Sequence, residues 1–215
     1  MKNLILFLLC SSLFLSCKND TENDKISKSD SDIIINNILT RRAVRKYKTQ
    51  QVERGKLDTI LKSAIYAPSS LNKQPWEIRA IKNPALLKKI NDRFISYAQG
   101  KTFQGSAANY KEPGFSIFHN APMIIVIARD KSNNISFMDC GILLENILLS
   151  AHGLGLGTCP LGTLVPVLNK PENADLLELM NIPEGYEVAI NVSLGYPDEK
   201  PAVKKKYSDR VKIIE

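Results

Sequence analysis

Arg41, Arg42 and Arg45 put three guanidinium groups into five residues. A guanidinium is a planar fork of donors that can hold two oxygens at once, so the cluster is either a phosphate-type anion site or a solvated face. A second stretch, Ala67 to Trp76, reads Ala-Pro-Ser-Ser-Leu-Asn-Lys-Gln-Pro-Trp. Pro68 and Pro75 stiffen it, and Ser69, Ser70, Asn72 and Gln74 crowd donors and acceptors between them. That chemistry describes either an ordinary turn or a grip on a planar, polar, ring-shaped ligand. A third stretch, Gly153 to Gly162, reads Gly-Leu-Gly-Leu-Gly-Thr-Cys-Pro-Leu-Gly. It lacks the Gly-x-Gly-x-x-Gly spacing of dinucleotide binders and follows a helix instead of a strand. Its glycines end that helix and let backbone approach a ligand or another helix closely.

Several chemistries are excluded. His119 and His152 are the only histidines, and neither stands at ligand spacing with thiols or carboxylates. His152, just before Gly153, reads as a helix C-terminal residue facing the dipole. There is no Gly-x-Ser-x-Gly elbow and no Walker loop. The net charge of +7 is concentrated at Arg41–Lys48 and Lys200–Lys212. Without zinc-finger spacing or aromatic interleaving, those clusters argue for a small anionic ligand or an anionic surface, and no nucleic acid is expected.

The elements that must position these groups follow from periodicity. Ser31–Leu39 reads as a helix capped by Asp30 or Ser31. Gln51–Ala67 carries a helical stripe (Val52, Leu57, Ile60, Leu61, Ala64, Ile65) ended by Pro68. Trp76–Lys82 is a strand and Pro84–Tyr97 a helix. Ala98–Asn120 has no period and reads as a lid or mobile excursion. The run Ala121–Ala128 is a central strand covered on both faces. Met138–Ala151 is a largely buried helix in which Glu145 and Asn146 need partners. Asn173–Met180 is a short helix and Tyr186–Leu194 a strand closed by Gly195-Tyr196-Pro197. A 215-residue chain with 44% hydrophobic residues suits one folded domain, here 32–215.

The N-terminus reads differently. Lys2 precedes an apolar stretch, Leu4 to Leu15, too short for a permanent span. It ends Ser16-Cys17, as a bacterial lipoprotein signal does, and residues 1–17 are assigned to that signal with Cys17 lipidated. The alternative is a cleaved signal with an incidental cysteine. Residues 18–31 are polar and read as a flexible tether. The expected location is therefore the bacterial cell envelope, as an exported, membrane-anchored lipoprotein. Cys140 and Cys159 remain in the domain, either paired or, as favoured here, as buried inert thiols.

Taken in order, the arginine cluster, the Pro-Ser-Ser-x-Asn-x-Gln-Pro-Trp loop, the Gly-rich turn and the Gly-Tyr-Pro exit into a basic tail resemble the nitroreductase family of FMN-dependent oxidoreductases. The resemblance spans roughly Ile33 to Ile214. It implies an α+β fold, a mainly antiparallel sheet flanked by helices, in an intertwined homodimer with FMN at the interface. It places Arg41, Arg42, Ala43 and Arg45 against the flavin phosphate and ribityl chain. Pro68, Ser69, Ser70 and Asn72 would reach in from the partner subunit. Pro160, Leu161 and Gly162 would lie along the isoalloxazine, and Lys204 and Lys206 would meet the phosphate.

The implied activity is hydride transfer from NAD(P)H to nitroaromatic, quinone or related acceptors in a ping-pong cycle. No side chain need act as nucleophile, since the flavin carries the hydride. Ala43 stands where the family commonly has Ser, and Pro160 follows Cys159 where Trp is frequent. The alternative reading is a non-catalytic flavin- or ligand-binding surface lipoprotein. Export also separates the protein from the cytoplasmic nicotinamide pool, which leaves the donor open.

Overall fold

The structure, a computed structural model, describes residues 29–215. The signal 1–17 with Cys17, and residues 18–28 of the expected tether, lie outside the described residues. Ser29 is the N-cap of α1 (Asp30–Thr40). Its hydroxyl accepts the Asp32 N–H at 3.1 Å, and the Asp32 carboxylate accepts the Ser29 N–H at 3.2 Å. This reciprocal box satisfies two orphan donors. The cap is thus Ser29 instead of Asp30 or Ser31, and the helix begins at Asp30, before the expected Ser31.

Helix α2 (Arg54–Ile65) buries Leu57, Ile60 and Ala64. It is shorter at both ends than the expected Gln51–Ala67. Strand β1 (Trp76–Ile81) and α3 (Pro84–Ala98) follow. The Asn83 side chain caps α3 by accepting the N–H groups of Ala85 and Leu86 at 2.9 and 3.1 Å. Then come β2 (Met123–Asp130), α4 (Ser136–Gly153), β3 (Gly157–Pro160), α5 (Val165–Leu168), α6 (Ala174–Leu179) and β4 (Tyr186–Gly195). The sheet order is β1-β2-β4-β3, and every neighbouring pair is antiparallel.

Helices cover both faces of the sheet. On β2, Ile124, Val126 and Ala128 point into a core closed by α3, α5 and α6. Met123, Ile125 and Ile127 point into a second core closed by α2 and α4. Side chains alternate across a strand, so a strand buried on both faces must be apolar throughout. Cys159 sits in the first core and Cys140 in the second, both as free thiols. The favoured reading of unpaired, buried thiols therefore holds.

Three expectations need correction. Residues 99–120 are not a structureless excursion: they contain a 3₁₀ turn, Gly105–Asn109, and pack against α3. The Phe94 ring lies 5.7 Å from Phe103 and 5.9 Å from Phe115, and Phe103 lies 6.1 Å from Tyr110. Aromatic burial, without helical period, holds the segment. Second, α4 buries only one face. Phe137 and Met138 are exposed, Glu145 is half-exposed beside Arg41, and the Asn146 amide donates to the Ser63 carbonyl at 3.0 Å. Third, the Gly-rich segment contains β3, which its glycine and proline content hides from a propensity reading.

Candidate functional site

The arginine segment is an added edge on the sheet. Ala43 pairs in parallel with Thr158 of β3, and the Val44 N–H donates to the Thr158 carbonyl at 2.9 Å. Gly157 makes this approach possible: a Cβ there would sit 2.8 Å from Val44 Cγ2. Further along, Tyr47 bridges to Pro197, and the Lys48 N–H donates to the Tyr196 carbonyl at 2.9 Å. The Tyr47 hydroxyl donates back to the Val44 carbonyl at 2.7 Å. Residues 43–48 are thus clamped between β3 and the exit from β4. The Glu199 carboxylate accepts the Arg45 N–H, which fastens the start of the basic tail to the same segment.

Two cavities flank the clamp. One, about 370 Å³, is lined by Arg45, Pro160, Leu161, Gly162, His119 and Lys204 among others. The other, about 440 Å³, includes Arg41, Arg42, Thr158, Glu199, Lys200 and Val203 in its wall. Val44 and Arg45, Thr158 and Cys159, and Val203 and Lys204 are consecutive pairs whose members line one cavity and the other. Both cavities carry cations in their walls, and the first has a peptide wall at 160–162.

The cations differ in how far they are neutralised. Arg42 Nη1 donates to the carbonyls of Leu39 and Arg41, each at 2.7 Å. The Arg41 guanidinium is 3.8 Å from Glu145, an ion pair too long for a hydrogen bond. Among the described residues no carboxylate oxygen lies within 4.0 Å of the Arg45 guanidinium or the Lys204 ammonium. With Arg42 and Lys200, which also have no carboxylate within 4.0 Å among the described residues, these are charges available to an anionic ligand.

The same charges set the local titration. Burial, then Arg45, holds the His119 imidazole below its ordinary value, with Glu199 opposing. His152 is likewise lowered by burial, then by Arg41 and Arg42, and its Nε2 meets Thr40 Oγ1 at 3.0 Å. The expected place of His152 in the last turn of α4 is correct. The expected dipole role needs a cation, and these surroundings disfavour one. Burial pushes the Cys159 thiol up.

Not every residue singled out from the sequence comes to the two cavities. Arg41, Arg42, Arg45, Pro160, Leu161, Gly162 and Lys204 line them. Ala43 lines neither cavity; its side chain packs against the first core. Lys206 is exposed and lines neither. Pro68, Ser69, Ser70 and Asn72 are absent from both walls as well. Their loop is a 3₁₀ turn, Ser70–Asn72, on the α2–α4 side of the molecule, with Leu71 and Asn72 at φ 52° and 53°. The Gln74 N–H donates to Ser69 Oγ at 2.9 Å and the Gln74 amide to Asn72 Oδ1 at 3.1 Å. Ala67 and Trp76 are buried at its two ends, so the tip projects from a rigid base.

Conversely, His119, Glu199 and Thr158 were not singled out for the site, and Lys200 was named only as the start of the basic cluster Lys200–Lys212. Glu199 and Lys200 follow directly after Gly195-Tyr196-Pro197, a strand exit that already marks a turn toward the site. His119 gave no signal, since only packing of residues 99–120 brings it to the cavity.

Residues 38–196 match the model of the nitroreductase family. A nitroreductase with bound FMN from Desulfitobacterium hafniense superposes with a TM-score of 0.78 at 26% identity, over 85% of this chain and 98% of that one. A second, also with bound FMN, from Bacteroides fragilis, gives 0.75 at 26% identity over the same shares. The NADPH-flavin oxidoreductase of Vibrio harveyi is 27% identical over 84% of this chain and 72% of its own length. A helix-flanked antiparallel sheet with cation-lined cavities beside its short edge strand defines the class. The chain belongs to the nitroreductase family.

Proposed function

We propose that the protein is an FMN-dependent oxidoreductase that passes electron pairs from NAD(P)H to nitroaromatic, quinone or related acceptors by a ping-pong mechanism. The observation that carries this reading is the pair of un-neutralised cations, Arg45 and Lys204, in a cavity walled by Pro160, Leu161 and Gly162. A second cavity on the same segment holds Arg41, Arg42 and Lys200. A ring-plus-phosphate ligand fits that plan, with backbone to flank a plane and guanidinium groups to neutralise a dianion.

When bound, FMN supplies the hydride chemistry. The chain supplies binding and electrostatics. Arg41, Arg42 and the basic tail neutralise phosphate charge. Arg45 offers a fixed cation that favours an electron-rich ring. The Pro160–Gly162 backbone and the packed cover 99–120 restrict water.

The second subunit belongs to the same reading. Ser69, Ser70 and Asn72 line neither cavity of their own chain, and in this reading they reach the cavity of a second copy. The exposed apolar residues Ile34 and Leu39 of α1 and Phe137 and Met138 of α4 offer the surface for that homodimer. We also propose lipid anchoring through Cys17. The support for it is Ser16-Cys17 at the end of the apolar stretch Leu4 to Leu15; among the described residues no helix is long and apolar enough to cross a membrane.

The test is the visible absorption spectrum of the purified protein, with release and identification of the bound flavin. Anaerobic mixing with NADH and NADPH follows. Bound FMN reduced by either donor supports an oxidoreductase; bound FMN reduced by neither supports a flavin-binding lipoprotein without turnover. A colourless protein that takes up no FMN at micromolar concentration refutes both. Mass spectrometry of the mature N-terminus decides the fate of Cys17.

A further inference from the structure

The loop that carries Ser69, Ser70 and Asn72 has one distant hydrogen-bonded hold. Within residues 68–74 the bonds are local: Asn72 N–H to the Ser69 carbonyl, Lys73 N–H to the Ser70 carbonyl, and the two Gln74 bonds. The exception is the Ser70 N–H, which donates to Asp139 Oδ1 at 3.4 Å. Asp139 stands in the first turn of α4 and is 2% exposed. Its Oδ2 is buried with no partner among the described residues. The neighbouring cation, Arg129, is engaged by Glu187 and by Ser136 Oγ.

A buried carboxyl group needs hydrogen bonds to offset its lost hydration. Among the described residues the only donor to it is the Ser70 N–H of the loop. The dependence is therefore mutual. If the loop swings away, Asp139 is left buried with nothing. If Asp139 is absent, the turn loses its single tie to the body while two of its residues, Leu71 and Asn72, sit in the left-handed region that side chains disfavour.

We propose that Asp139 is a positioning residue. It holds the Ser70–Asn72 turn in the shape that reaches the partner's flavin cavity, and so acts on cofactor affinity without touching the cofactor. This rests on the dimeric FMN reading above.

The experiment compares Asp139→Ala, Asp139→Asn, Ser70→Ala and Ser70→Pro in the full chain. Three quantities are read: amide hydrogen exchange over 68–74 without FMN, the FMN Kd, and Tm. Asp139→Ala is expected to speed exchange across the loop and raise the FMN Kd about tenfold. Asp139→Asn keeps an acceptor oxygen and is expected to stay within about threefold of wild type. Ser70→Pro removes the N–H; the extended backbone of Ser69 (φ −141°, ψ 154°) suits a residue before proline. It is expected to exceed the effect of Ser70→Ala, which removes only the hydroxyl, and Asp139→Ala added to Ser70→Pro should change neither loop exchange nor the FMN Kd further. A lowered Tm with unchanged exchange and unchanged Kd overturns the proposal, because that is what a merely structural carboxyl would do. If Asp139→Ala fails to fold, the Ser70→Pro and Ser70→Ala pair decides. If the wild type takes up no FMN, the functional reading fails, and the exchange measurement alone still judges the Asp139–Ser70 tie.

Discussion

The Val44 N–H donates to the Thr158 carbonyl at 2.9 Å, and this bond joins the arginine segment to the short edge strand β3. It puts Arg41 and Arg42 beside one cavity and Arg45 beside the next. Gly157 permits it, since a Cβ there would lie within 3.0 Å of three Val44 side-chain atoms. Gly157→Ala should therefore destabilise the domain by about 1–3 kcal/mol, as overpacking does. Urea denaturation measures this, and the FMN Kd should rise in the same variant because the arginines move with the segment. An unchanged midpoint would show that the segment can retreat without cost.

Arg45 carries an un-neutralised guanidinium into the cavity with the 160–162 wall. Arg45→Gln should raise the FMN Kd roughly tenfold or more, since hydrogen bonds to charged groups are worth about 1.5–3 kcal/mol. Arg54→Gln is the control. Arg54 is exposed and pairs only with Asp58 on its own helix, so its loss should leave FMN binding unchanged. Fluorescence titration of the flavin reads both.

Loop and arginines can be assigned to different subunits by mixing. Arg45→Gln chains and Asn72→Ala chains should each bind FMN poorly alone. A heterodimer of the two contains one site with both groups intact. Unfolding and refolding an equal mixture should recover FMN capacity in that fraction. If the loop served its own chain, every site would carry one defect and mixing would restore nothing.

These residues also show what kind of signal a sequence carries. The arginines and the Pro-Ser-Ser-x-Asn loop were visible because their side-chain chemistry is unusual wherever they fold. Ala43 was assigned to the ligand by analogy of position, whereas its methyl group packs into the core. Lys204 and Lys206 looked equivalent, and only the path of the tail puts Lys204 at the cavity.

Acid should weaken the fold before the carboxylates titrate. Burial, then arginine charge, holds both His119 and His152 below their ordinary value of 6.5. As pH falls below 6.5, the unfolded chain takes up protons first, and stability falls with pH. Above that value both states are neutral and the effect vanishes. Thermal unfolding between pH 7.5 and 5 should show a falling Tm, and the His119→Gln/His152→Gln double variant should flatten the slope. An equal slope in that variant would assign the loss to other groups.

The two thiols should be silent in the native protein. Burial pushes Cys140 up to about 12 and raises Cys159, and they are 1% and 2% exposed. The thiolate is the reactive form, so a thiol reagent should label neither position until denaturant is added. Peptide mapping after labelling distinguishes them from the N-terminal cysteines. Rapid native labelling of Cys159 would show that its cavity wall opens.

The amino-acid order by itself determined the helices with a clear apolar stripe, the doubly buried strand β2, and the chemical character of the site. Those are local properties, read from the spacing of side chains along the chain. Tertiary structure decided the rest. β3 exists because β4 and the arginine segment pair with it, and its own glycine and proline would not make a strand. His119 lines its cavity because aromatic packing folds residues 99–120 over the core. The Pro-Ser-Ser-x-Asn loop is absent from the cavities that hold the arginines of its own chain, since its ends are buried in the α2–α4 core. Each outcome depends on contacts between residues far apart in sequence, and no local pattern encodes where two distant segments meet.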